Sequence, residues 1–235
     1  MGIVRSNEAI ADGVHRLIVD GDYPAEAGQF YMLRAWDAYP LLSRPISVHD
    51  RDDGKITFLY RIVGSGTELL ARLKHGDELQ LTGPFGRGFP KLDAAAKLAI
   101  VGGGIGIAPL LLAARQHPNS RIFLGYSQEP FGTDRFRAIH RDVTVITGGT
   151  IAEYVDPGDY DAIFACGPVP LLELLARRCS GLNTRLFIAV EKRMACGVGA
   201  CCGCSISVDG GNQKVCVDGP VFEAEGVDLH GLLDL

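Results

Sequence analysis

Four cysteines carry the chemistry most plainly written in this 235-residue chain: Cys196-x4-Cys201-x2-Cys204, then Cys216 after eleven residues. That spacing is the one used by plant-type 2Fe-2S centres, in which four thiolates hold two irons. The residues between them suit the task. Gly197, Gly199 and Gly203 let a loop wrap a cluster and turn backbone N–H groups toward its sulfurs. Lys192 and Arg193, just upstream, could offset the anionic charge. A structural zinc competes, since Cys201 and Cys204 could form half of a four-cysteine site, but zinc prefers two short knuckles. Cys202 reads as a bystander whose side chain points away from Cys201, although it could slip into a ligand role. Cys179 ends a helical pattern and packs.

A second group of residues suits nucleotides. In Arg44-Pro45-Ile46-Ser47, Pro45 holds Arg44 extended, so its guanidinium can reach a diphosphate while Ser47 offers a hydroxyl. Leu59-Tyr60-Arg61 precedes Gly64-Ser65-Gly66-Thr67, where glycines open a helix and can present N–H groups to an anion. Tyr60 could stack on an aromatic ring. Gly102-Gly103-Gly104-Ile105-Gly106-Ile107-Ala108-Pro109 follows a strand and enters a helix, yet it fails the dinucleotide fingerprint. Ile107 and Pro109 stand where Gly or Ala is required. Gly103, Gly104 and Gly106 remain candidates to cradle a nucleotide. Cys166-Gly167-Pro168 closes a later strand, where ligands gather in open α/β sheets, so the Cys166 thiol could lie near a transferred hydride. As plain structure the same triplet is a strand-to-helix turn with Pro168 at the first helical position. Six scattered histidines show no metal spacing, and no Ser/His/Asp set converges. The chemistry must therefore come from cofactors.

The elements that must position these residues fall into two patterns. Residues 1–92 read as β structure: 15–20, 29–35, 45–49, 55–63 and 78–82 are short apolar runs parted by Asp20-Gly21, Asp53-Gly54 and His75-Gly76. Such spacing predicts a small antiparallel barrel or sandwich. One helix interrupts it over 67–74, with Thr67 as N-cap. Residues 96–190 change character: apolar runs at 97–101, 121–126, 143–147, 161–165 and 185–190 alternate with helices at 110–115 and 171–178. This predicts a buried parallel sheet. Residues 191–235 form a third, cysteine-rich segment with little periodicity.

Composition narrows the class. The net charge of −5 argues against nucleic acid as a partner, because phosphate binding needs a basic surface. The longest uncharged stretch, 98–114, is broken by four glycines and Pro109, too interrupted for a membrane span. No signal peptide opens the sequence, and Ile3-Val4 reads as the start of a strand. Clustered free thiols in a chain of this length imply a reducing cytoplasm.

Taken in order, RPIS, LYRIVGSGT, GPFGRGF, VGGGIGIAPL, CGP, EKRMACGVGACCGC and CVDGPVF resemble the electron-transfer subunit of type B dihydroorotate dehydrogenases, within the ferredoxin–NADP reductase group. The resemblance spans nearly the whole chain. It implies an N-terminal FAD barrel, a nucleotide domain and a C-terminal 2Fe-2S segment. Arg44, Pro45, Ile46, Ser47, Leu59, Tyr60, Arg61, Gly66 and Thr67 match the family's FAD-contacting segments, and Cys196, Cys201, Cys204 and Cys216 its cluster ligands. The implied path runs from the FMN of a separate catalytic subunit through 2Fe-2S and FAD to NAD+, in pyrimidine synthesis. By analogy the assembly is a two-plus-two heterotetramer. The stretch from Thr147-Gly148-Gly149-Thr150 to Asp161 is shorter than family members usually carry. Two other functions compete: an FAD/2Fe-2S subunit serving a hydrogenase, sulfite reductase or ferredoxin:NADP oxidoreductase, and a zinc-stapled binding module.

Overall fold

A computed structural model describes residues 1–52 and 54–232, so Asp53 of the expected 53–54 turn and the last three residues lie outside it. The chain begins with β1 (Gly2–Ala11), β2 (Val14–Asp20), β3 (Phe30–Arg34), β4 (Arg44–Asp52) and β5 (Lys55–Arg61). The short helix α1 (Ser65–Ala71) and β6 (Glu78–Phe85) complete this half. Among the described residues the strands close into an antiparallel barrel in the order β1-β2-β5-β4-β3-β6. Alternation drives closure: Val4, Val14, Leu17, Val19, Val48, Ile56 and Phe58 are all fully buried.

The second half contains β7 (Leu98–Gly103), α2 (Leu110–Gln116), β8 (Arg121–Tyr126), α3 (Thr133–Ile139) and β9 (Val143–Thr147). It continues with β10 (Ala162–Cys166), α4 (Val169–Cys179) and β11 (Arg185–Ala189). β7, β8, β9, β10 and β11 pair in parallel, and β7, β10 and all of β8 but Arg121 are buried along their length, as a sheet covered on both faces requires. Helix α3 was absent from the sequence expectation. Its segment, Thr-Asp-Arg-Phe-Arg-Ala-Ile, buries only Phe136, too narrow a stripe to read as amphipathic.

The cysteine-rich segment is not free-standing. It supplies a hairpin, β12 (Ser205–Val208) with β13 (Gly211–Lys214), and then β14 (Val221–Glu223), which adds antiparallel to β11 at the edge of the large sheet. The sheet order is β14-β11-β10-β7-β8-β9. The strands that follow β7 lie on one side of it, and β10 and β11 lie on the other. The direction of winding therefore reverses between β7 and β10, and their carboxyl ends frame the crevice where such sheets bind ligands. No helix among the described residues is long and apolar enough to cross a membrane.

Candidate functional site

β4 and β5 carry the flavin-type residues to one wall. Arg44, Pro45, Ile46, Ser47, Leu59, Tyr60, Arg61 and Thr67 all border a cavity of about 830 Å³, within the usual range for a cofactor pocket. Its cationic lining is Arg44, Arg61, Lys192 and Arg193 against one carboxylate, Glu191. Lys192 and Arg193 thus face this cavity. Arg44 is held with its guanidinium 5.5 Å from the Trp36 ring centroid, donating to the Leu42 carbonyl. A Cβ at Gly66 would fall 2.5 Å from Arg44 Cζ, so the guanidinium lies directly on α1's glycine backbone. A planar cation laid over backbone amides is a fitting cradle for a diphosphate, and the cavity fits FAD.

One expectation here needs correction. Thr67 is not the N-cap; Gly64 is. Thr67 Oγ1 instead accepts from the N–H groups of Val63 and Gly64 and donates to the Gly64 carbonyl, closing the loop from inside the helix. Tyr60 borders the cavity but is only 2% exposed, with its ring stacked on His15 and its hydroxyl donating to Asn7. Burial pushes that phenol up to about 12.

A second cavity of about 380 Å³ opens beside the first, and Arg61, Ile105, Val190 and Glu191 border both. Gly103, Gly104 and Gly106 from the end of β7, and Gly167 and Pro168 from the end of β10, form its walls. After β7 the chain makes a 3-10 turn over Gly104–Ile107 before α2. Gly106 is required by close approach: a Cβ there would lie 2.5 Å from the Cys166 carbonyl oxygen and 2.7 Å from Gly167 Cα. Cys166 does not enter this cavity. It is 2% exposed beneath the floor, and burial, with Glu191 adding to it, pushes its thiol well above the usual range. Pro168 is the cap residue of α4 and lies one position before the helix starts. Glu191 borders both cavities, and desolvation there raises its carboxyl above the ordinary value.

The four expected cysteines fall into two neighbouring thiol pairs in one loop region. Cys204 and Cys216 are 2% and 1% exposed, Cys196 is half-buried and Cys201 is exposed. The β12–β13 hairpin delivers the distant fourth thiol. Its two-residue turn, Asp209-Gly210, has both residues at positive φ (51° and 73°), the geometry that matches strand twist. Val215 N–H then donates to the Cys204 carbonyl, 3.1 Å away. Asp-Gly between Ile206, Val208 and the following strand was a readable hairpin signal that the sequence reading missed.

The thiols form two pairs, Cys196 with Cys201 and Cys204 with Cys216. N–H groups of Gly199, Cys201 and Gly203 point at the sulfurs of Cys216, Cys196 and Cys201, 3.2–3.5 Å away. Those of Cys201 and Val198, with the Cys201 thiol, draw Cys196 down to about 6. Burial, then the Cys204 thiol, pushes Cys216 up to about 11. Among the described residues no three Cys, His, Asp or Glu side chains converge as a single-ion site does. Two sulfur pairs with N–H groups aimed at them fit a two-iron cluster. Cys202 is exposed, with φ 56°. The loop also sits close to the flavin wall: a Cβ at Gly197 would be 3.2 Å from Met32 Cγ and 3.5 Å from Phe85 Cε2. Phe85 in turn packs at 5.8 Å on Phe30, which borders the flavin cavity.

Residues 191–228 match the model for the iron-sulfur cluster binding domain of dihydroorotate dehydrogenase B. The chain is 39% identical to the dihydroorotate dehydrogenase B (NAD(+)) electron transfer subunit of Clostridium acetobutylicum, with 93% of each chain covered. It is 38% identical to that of Caldanaerobacter subterraneus subsp. tengcongensis, covering 95% of this chain and 96% of the relative. The chain belongs to this family of electron transfer subunits. Among solved structures, this family member resembles the NADH-dependent reduced ferredoxin-NADP oxidoreductase at TM-score 0.88 and 25% identity, covering 99% of this chain and 91% of that one. The ferredoxin-NADP+ reductase of Plasmodium falciparum shares the fold at TM-score 0.68 and 11% identity, covering 80% and 94%. The N-terminal barrel, parallel sheet and C-terminal cysteine segment expected of the family are all present.

Proposed function

We propose that this chain is the electron-transfer subunit of a NAD-linked dihydroorotate dehydrogenase B, taking electrons from the FMN of a catalytic partner and delivering them to NAD+ for pyrimidine synthesis. One observation carries the reading: the cationic flavin cavity opens directly onto the nucleotide crevice and is backed, through Phe30, Phe85 and Met32, by the cysteine loop. When bound, 2Fe-2S would supply single electrons, and FAD would combine two of them with a proton as the hydride that nicotinamide accepts. The chain's own residues supply binding and order. Arg44 and Arg61 would hold the flavin's diphosphate, and Ser47 would donate a hydroxyl. Gly103, Gly104 and Gly106 would let the nucleotide approach the backbone, and Cys196, Cys201, Cys204 and Cys216 would ligate iron. The divisions 1–92, 96–190 and 191–235 then correspond to flavin, nucleotide and cluster regions. Cys201, the exposed ligand, marks the face for the FMN subunit, in a heterotetramer of two copies of each. Reduced thiols at that face suit the cytoplasm.

An anaerobic visible spectrum with iron, sulfide and flavin assays tests the assignment. Flavin bands with two irons per chain are expected, lost as iron in Cys204→Ser and kept in Cys202→Ser. A colourless chain with stoichiometric zinc would overturn it. Co-purification with an FMN protein that oxidises dihydroorotate tests the partner.

A further inference from the structure

We infer that His49 and Asp50 are positioning residues that hold the flavin cavity in register with the nucleotide crevice and thereby set the geometry of hydride transfer between them. The inference rests on the function proposed above and concerns residues outside both cavities. β4 begins as flavin wall, at Arg44 to Ser47. Two residues on, its pairing with β5 slips: Val48 opposes Phe58 and Asp50 opposes Thr57, leaving His49 as the extra residue of a bulge. In a regular strand, residues 49 and 50 would point to opposite faces; a bulge re-aims one of them. Here both side chains reach into the second half of the molecule, and both residues are 1% exposed.

Their contacts converge on the segment behind the nucleotide crevice. His49 Nδ1–H donates to the Ala108 carbonyl at 2.9 Å, and its ring meets Phe136 of α3 edge-on at 6.4 Å. Ala108 directly follows the Gly104–Ile107 turn and itself borders the flavin cavity. Asp50 receives a two-pronged contact from Arg115 of α2, Nε to Oδ1 at 3.0 Å and Nη2 to Oδ2 at 2.7 Å. Arg135 of α3 adds a third, to Oδ2 at 2.8 Å. One buried carboxylate thus binds two helices, and the adjacent histidine binds the backbone between the glycine turn and α2. An apolar contact could hold the halves together while letting them slide. A carboxylate gripped by two planar forks allows one register.

The test uses the full chain with its FAD and cluster, comparing wild type with Asp50→Asn, Arg115→Gln and Arg135→Gln. Arg115 and Arg135 side chains are 40% and 30% exposed, so their replacement should leave the fold intact. Anaerobic flavin reduction by NADH, followed by stopped flow, is expected to slow roughly tenfold or more per bound flavin, the scale of small misplacements of reacting atoms. The isotope effect with NADH deuterated at the transferred position should rise, and amides of residues 103–108 should lose protection from hydrogen exchange. A purely structural role would lower the melting temperature and leave rate and isotope effect unmoved. Rates within about twofold of wild type in the variants that fold would overturn the inference. If Asp50→Asn does not fold, the two arginine variants decide by the same criterion. A wild-type chain that NADH does not reduce overturns the functional reading instead. Exchange at 103–108 then decides the clamp alone: protection lost in the variants supports it, and unchanged protection removes it.

Discussion

The flavin cavity is walled by side chains, Arg44, Arg61, Lys192 and Arg193 among them, whereas the crevice beside it has, between its side chains, a patch of bare backbone at Gly103, Gly104, Gly106 and Gly167. The two materials fail differently. A side-chain wall loses one interaction when one residue is cut, and its neighbours can move. A backbone wall has nothing that can swing aside, so a single added carbon must displace two strand ends.

Gly106→Ala should therefore produce the broadest effect, on stability and on nucleotide binding together. Its Cβ would meet the Cys166 carbonyl carbon at 2.6 Å and its oxygen at 2.5 Å, both main chain. Separating the ends of β7 and β10 should cost about 1–3 kcal/mol of stability and distort the nucleotide crevice more than the flavin cavity. Thermal melts and NADH affinity at constant flavin content measure both. Unchanged NADH affinity would mean the crevice is softer than its packing indicates.

Arg44→Ala comes next and reverses the pattern. Losing a charged hydrogen-bond donor to the flavin's diphosphate should weaken FAD by about 1.5–3 kcal/mol, with little change in melting of the flavin-free chain. Equilibrium titration after flavin removal reads it, and undiminished affinity would move the clamp to Arg61. Gly66→Ala tests the same wall more gently. Its Cβ would meet the Arg44 guanidinium at Nε, Cζ and Nη2, the far end of a flexible side chain that can give way. A loss of about 0.5–1 kcal/mol in FAD affinity is expected, smaller than for Arg44→Ala. An equal or larger loss would show that the backbone under Arg44, more than its charge, holds the cofactor.

The same contrast explains what was legible in the sequence. Side-chain chemistry announces itself: Arg44 to Ser47, Leu59 to Arg61 and the four candidate cysteines all stand out by type and spacing; the first two segments border one cavity, and the cysteines fall into two thiol pairs. Apolar runs located five of the six described barrel strands and the parallel strands to within a few residues, because both are cores of alternating or continuous burial; β1 was marked only by its start at Ile3-Val4, because much of Gly2–Ala11 is half-buried or exposed. Backbone roles were harder to read. Thr67 has the residue type of an N-cap, yet it serves from inside the helix because Gly64 supplies the turn. β14 is only three residues long and owes its place to β11, so no local pattern marks it. The Asp50 clamp joins residues 65 and 85 positions apart, and only the bulge at His49 makes it possible. Spacing within one segment carries no trace of such a contact.

Cys166 tests the boundary between the two materials, and its expected effect is the smallest. By type it belongs with the reactive side chains; by position it lies under the backbone floor at 2% exposure. Burial raises its pKa, so the thiol stays protonated at pH 8, and only a thiolate attacks an alkylating reagent. Iodoacetamide applied to the loaded chain should therefore modify exposed Cys202 and leave Cys166 unmodified, as read by mass spectrometry of the digested protein. Raising the pH toward the thiol's own pKa should increase its labelling only slowly, because access is blocked as well as ionisation. Rapid labelling of Cys166 at pH 8 would place the thiol in the crevice, restore it to the path of the hydride, and make that wall a mixture of side chain and backbone.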